Sequence, residues 1–212
     1  MAFLHGVEVI EIDAGPRPIQ TVKSSVIGIV GTAPDADPDA FPLNTPVLVA
    51  GSRKEAADLD TVGTALGTLP AAMDGIFDQI GAVVIVVRVE EGATEAESLA
   101  NVIGGVNAVD GNFEGVHALV GAESVVGFSP RILIAPSFTH QRPEGNANPV
   151  VAELQGIGDR LRAVIIADGP NTNDADAITA AGDFGSDRIY LIDPSHKVMV
   201  GSDIVSVPAS SR

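Results

Sequence analysis

The chain has 212 residues, 45% hydrophobic, 4% aromatic and 19% charged, with 28 acidic against 12 basic side chains and a formal charge of −16. That balance excludes direct binding to a nucleic acid backbone, which requires a basic face, and it suits a partner with positive patches. Cysteine is absent, which excludes disulfides and thiolate chemistry; no signal peptide is expected from the opening residues, and the longest apolar run, residues 82–87, falls far short of the ~20 residues of a membrane span.

In chain order, Val7 and Val9 alternate with Glu8, and residues 7–12 predict a strand with one wet face. Pro16 and Pro18 then hold the chain extended and deny it ladder donors. Residues 25–31 predict a buried core strand, followed by a Pro- and Asp-rich loop without periodicity, a second strand at 46–50 and a short helix from the capping box Ser52-Arg53-Lys54-Glu55. Leu69, Ala72, Met73, Ile76, Phe77 and Ile80 form one apolar helical stripe, opened by Pro70 in the first turn. Residues 82–89 predict a strand buried on both faces, as in a parallel sheet. Residues 22–90 read as one compact α/β unit.

A second unit follows. Thr94 to Glu97 is another capping box, with the stripe Leu99, Val102, Ile103 and Val106 behind it. Val116, Leu119, Val120 and Val126 suggest a further helix weakened by Gly121. Strands are predicted at 132–135, 164–167 and 189–192. They alternate with a helix carrying Val150, Val151, Leu154, Ile157 and Leu161 and one carrying Ile178 and Ala181, capped by Asn173 or Asp174. This is the βαβ pattern, with right-handed crossovers expected. Residues 198–207 predict a hairpin.

Doubly wound sheets bind ligands beyond the C-terminal ends of their strands. Those ends carry Ser137, His140, Asp168, Asp193 and His196, which could converge as nucleophile, base and orienter. Against this, Asp, Pro, Ser and Asn commonly end strands because they make turns, and no Gly-x-Ser-x-Gly elbow surrounds Ser137. Gly28 and Gly31 lack the third glycine and directly following helix of a dinucleotide fingerprint. The four histidines are scattered, and Asp35, Asp37 and Asp39 are interrupted by Pro38 and lack a calcium loop's closing glutamate. The alternative to a structural role is therefore an α/β hydrolase-like or ligand-binding enzyme using Ser137, Asp168 and His196.

Three phrases stand in fixed order: Phe3-Leu4-His5-Gly6-Val7-Glu8-Val9, then Gly15-Pro16-Arg17-Pro18-Ile19, then Val26-Ile27-Gly28-Ile29-Val30-Gly31-Thr32-Ala33-Pro34. With Ala135-Pro136, Ile192-Asp193-Pro194 and Val207-Pro208-Ala209-Ser210-Ser211, this strongly resembles the contractile tail sheath proteins of bacteriophages and tail-like particles. The resemblance implies an α/β fold in three parts: an extended arm at 1–21, a small inserted outer α/β domain at 22–92, and the βαβ start of a larger core domain at 93–212. It implies the N-terminal part of a longer chain.

It also implies a mechanical subunit and no enzyme. Val7, Glu8, Val9, Ile10, Glu11 and Ile12 would pair with a neighbouring subunit by strand exchange, through a linker of Gly15, Pro16, Arg17 and Pro18. The implied partners are further copies in a helical sheath, the tail tube protein, the baseplate and the tail terminator, with no nucleic acid and no membrane binding. The implied place is the virion tail, assembled in the host bacterial cytoplasm. No cofactor, catalytic residue or metal is implied.

Overall fold

A computed structural model describes residues 25–51, 53–200 and 202–212. Strand β1 (Val26–Thr32) is followed by β2 (Pro46–Ala50), helix α1 (Arg53–Ala56) with a 3-10 turn (Ala57–Leu59), helix α2 (Leu69–Gln79) and strand β3 (Val83–Val89). β3 runs parallel to β1, from Val26 opposite Val83 to Thr32 opposite Val89. β2 closes that side of the sheet, antiparallel to β3. In α2, Leu69, Ala72, Met73 and Ile76 are buried along one face, as the helical period requires. The stripe stops short of Ile80, which is the extended C-cap residue and is exposed.

Helix α3 (Glu95–Ile103) begins on the expected box, with Thr94 Oγ1 accepting from Glu97 N at 3.2 Å and Thr94 N donating to Glu97 Oε2 at 3.3 Å. It ends at Gly104, whose φ of 62° favours glycine. Val106, expected on the α3 stripe, therefore lies beyond the helix, exposed in the short hairpin β4 (Gly105–Val106) and β5 (Phe113–Glu114). A 3-10 helix (Gly115–Gly121) runs into α4 (Ala122–Val126), so the glycine at 121 changes the helix type instead of ending the helix. Then come β6 (Ile132–Ile134), α5 (Pro149–Leu161), β7 (Val164–Asp168), α6 (Asp174–Gly182), β8 (Ile189–Ile192), and the hairpin strands β9 (His196–Val200) and β10 (Asp203–Val207). A 3-10 turn (Ala209–Ser211) follows.

The main sheet has the order β2-β3-β1-β6-β7-β8, parallel except for β2. β1 sits between β3 and β6, with Ile27 opposite Val84 on one side and Ile132 on the other. The expected boundary between 22–92 and 93–212 therefore does not separate two sheets. The physical reason is that β1 is apolar enough to be buried on both faces and takes one neighbour from each segment.

Two cores flank the sheet. Val30, Ile85, Val87, Leu133 and Ile165 meet Val102, Leu119 and Leu154 on one face. Ile29, Val84, Val86 and Ile134 meet Leu69, Met73 and Ile76 of α2 on the other. Gly28 makes the first contact close: a Cβ there would lie 2.9 Å from Pro130 Cβ and 3.1 Å from Leu119 Cδ2. The run β6-α5-β7-α6-β8 steps one way across the sheet, so right-handed crossovers put α5 and α6 on the same face, opposite α2. α6 turns Ala180 inward and leaves Ile178 exposed, reversing the expected stripe, because a short helix over an edge strand packs close only through small side chains. On the α2 side, no α-helix of the described residues covers β7 and β8, and only the 3-10 turn Ala209–Ser211 packs there, between α2 and the Asp168 end of β7. Ile132, Val164 and Ile166 are only partly covered there, and Tyr190 is 61% exposed.

Candidate functional site

The strand ends do bring polar groups together. Ser137, His140 and Asp168 line a shallow cavity of about 250 Å3 with Asn171, Ser195 and Pro208. Asp168 is buried, and its carboxylate is already engaged: Oδ1 accepts from Ser210 N at 2.8 Å, and Oδ2 accepts from Ser210 Oγ at 2.7 Å. Thr139 Oγ1 accepts from Asp168 N at 2.9 Å. Asp193 Oδ1 accepts from Asn171 N at 2.6 Å, a turn contact. His196 lies outside that lining, exposed on β9 opposite Val207. Among the described residues no hydrogen bond links Ser137, Asp168 and His196, so the arrangement lacks the chain from nucleophile to base to orienter that acyl transfer needs. Asp168 works as an anchor, tying the segment after the hairpin to the end of β7.

A second clamp holds the same segment. A Cβ on Gly75 of α2 would lie 2.6 Å from Ser211 O, so only glycine admits the backbone this close. Arg212 Nη1 donates to Asp78 Oδ2 at 3.0 Å, and Arg53 pairs with the other carboxylate oxygen. The Arg53 hydrogen bond, reinforced by Arg212, holds the Asp78 carboxyl below its usual range.

Arg88 is the buried cation among the described residues. Its Nε donates to Phe41 O at 2.6 Å and Nη1 to Ala33 O at 3.4 Å, stapling the 33–41 loop to β3. Burial lowers its pKa. In that loop Asp35 accepts from Thr64 Oγ1, and Asp37 Oδ1 accepts from Asp39 N at 2.9 Å. These carboxylates shape turns.

The residues singled out for assembly, Val7, Glu8, Val9, Ile10, Glu11 and Ile12 with Gly15, Pro16, Arg17 and Pro18, lie outside the described residues. What sequence reasoning passed over is the character of the β9–β10 ribbon. It was readable as a hairpin, but its register puts Val198 opposite Val205 on one face and Met199 opposite Ile204 on the other. Met199 is 74% and Ile204 69% exposed. Consecutive apolar residues in a two-stranded hairpin were the available signal, because alternation then leaves neither face polar.

Comparison with known proteins bears on what such a chain does. Residues 24–89 match the family described as Tail sheath protein Gp18 domain III N-terminal region. A prophage protein of Pseudomonas aeruginosa (strain UCBPP-PA14) named as a major tail sheath protein is 37% identical over 199 residues, covering 93% of this chain and 48% of its own length. The tail sheath protein of Escherichia phage P2 is 36% identical over 167 residues, covering 76% of this chain and 39% of its own. In fold, the chain is similar over its whole length to the anti-feeding prophage (AFP) helical sheath solved by cryo-EM in the contracted state, with a TM-score of 0.55, 14% identity and 50% of that chain covered. The chain thus spans half or less of the length of the relatives it matches. On sequence shared across nearly all of its length, and on a fold held in common, the chain belongs to the tail sheath protein family.

Proposed function

We propose that this chain is part of a contractile sheath subunit that polymerises helically around a tail tube and drives the tube through a target envelope on contraction. The observation that carries the reading is the 93% span of this chain aligned with a major tail sheath protein. The geometry fits a mechanical part. The strand-end carboxylate that a hydrolase would need is spent on holding Ser210.

Residues 7–12 serve as a strand lent to a neighbouring copy, and residues 15–18 belong to the strap behind it. An unpaired strand is a liability on its own chain and a joint when offered to another. About twenty extended residues reach at most roughly 65–70 Å, so copies shift and rotate while the joint holds. Contraction runs downhill because contracted copies bury more mutual surface, and the extended state persists behind a barrier. The partners are further copies, the tube, the baseplate and the terminator, and the work consumes no nucleotide. The subunits assemble in the bacterial cytoplasm and act in the virion tail.

Deleting residues 2–18 from the full-length protein tests the joint. Negative-stain images should show discrete particles in place of tubes. Long regular tubes from the truncated protein would remove the arm from the mechanism.

A further inference from the structure

We infer that Arg88 receives a carboxylate carried by polypeptide outside the described residues, so that the end of β3 is a docking point for one acidic side chain. The inference goes beyond the sheath reading above and stands or falls apart from it.

The guanidinium is buried and only partly answered. Arg88 is 9% exposed, and a guanidinium cannot shed its charge in a protein. A buried charge calls for an opposite one. Of its five N–H groups, Nε–H donates to Phe41 O at 2.6 Å and one on Nη1 to Ala33 O at 3.4 Å, both neutral acceptors. The other three, both of those on Nη2 among them, meet no acceptor among the described residues. Burial lowers the pKa of Arg88, and no carboxylate among the described residues raises it again.

Aspartates are plentiful and go elsewhere. Four arginines that are less buried each find one: Arg53 and Arg212 share Asp78, Arg142 holds Asp183 and Arg188 holds Asp159. The loop laid over Arg88 carries three more, yet Asp35 accepts from Thr64 Oγ1 and Asp37 from Asp39 N. The deepest arginine is thus the one left with an open donor fork, Nη2 beside the second hydrogen of Nη1, a shape that fits two carboxylate oxygens.

The charge of −16 decides what brings that carboxylate. A free anion must approach against the field of the whole chain. A side chain on polypeptide already held at this face arrives at a high effective concentration. This chain spans 48% of one major tail sheath protein, so the rest of a subunit and a second copy are both sources of such polypeptide, and a denaturing gel separates the two.

Arg88→Lys keeps the charge and supplies an amine that a carbodiimide joins to an adjacent carboxylate: the amide bond forms and the carboxylate oxygen leaves on the reagent as a urea. In full-length protein treated under assembling conditions, digestion and mass spectrometry should find position 88 joined to an aspartate or glutamate outside residues 25–212. Linked protein that runs as a monomer assigns the carboxylate to the same subunit, and linked protein that runs as a dimer or larger assigns it to a second copy. Folded protein in which position 88 carries no link, or links only within 25–212, overturns the inference. Arg88→Gln removes the charge and gives a second readout. Lysine should lower the unfolding midpoint of the full-length subunit less than glutamine does, because only a charge attracts the carboxylate. Equal losses, or a larger loss for lysine, overturn the ion pair. Absence of tubes counts against the sheath reading alone, since the link is read on the subunit however it packs.

Discussion

Arg88 reaches no carboxylate among the described residues and spends its guanidinium on two backbone carbonyls. Replacing it by methionine keeps the stem's bulk and strands those acceptors in a dry site. An unpaired buried polar group costs about 1–3 kcal/mol, so Arg88→Met should lower stability by that order in urea unfolding, with faster amide exchange across residues 33–41. Asp60 supports a pH prediction. Its carboxylate accepts from Ala65 N at 2.7 Å, Gly63 N at 2.8 Å and Thr64 N at 3.2 Å, and these bonds, Ala65 first, lower its pKa. A depressed folded pKa means that the stabilisation is present above the ordinary aspartate value and is lost as pH falls through the folded one. The 60–65 turn should therefore stay intact through mild acid and open only at lower pH, visible as chemical-shift changes of the Gly63, Thr64 and Ala65 amides. Asp60→Asn should leave those amides without that acid transition.

Elements were largely legible because each is locally caused. The apolar runs at 46–50 and 189–192 coincide with β2 and β8, and the capping box at Thr94 with the start of α3. Packing against distant partners was not legible. Arg88 sits next to last in a strand read as buried on both faces, and nothing local announces that the 33–41 loop folds over it to take its guanidinium. The bond between Asp168 and Ser210 spans 42 residues and has no sequence signature. The Ile178 stripe failed because helical period gives a face without saying which face the sheet takes. Gly28 shows the same limit: its role appears only once Leu119 and Pro130 press on it. Overfilling a packed core typically costs about 1–3 kcal/mol, and Gly28→Val should lower the thermal midpoint accordingly. An unshifted midpoint would mean that the 3-10 helix moves aside freely.

At the scale of the whole molecule, the sheet's order matters more than its inventory. Residues 24–89 match a family model as a unit, yet β1 is bonded to β6 of the following segment. A peptide of residues 24–89 would expose that edge and the face that packs on Leu119. It should show no cooperative thermal transition by circular dichroism, while residues 1–212 melt in one step. A separate melt for the short piece would support a division at residue 92.

That central position has a mechanical side. Whatever pulls on the residues preceding Ser25 pulls end-on along β1, whose rungs to β3 run the full strand and whose rungs to β6 begin at Ile27. A tug of this kind loads the rungs together in shear, where an edge strand would peel open one rung after another. A load entering there would fall on the middle of the sheet and not on its rim.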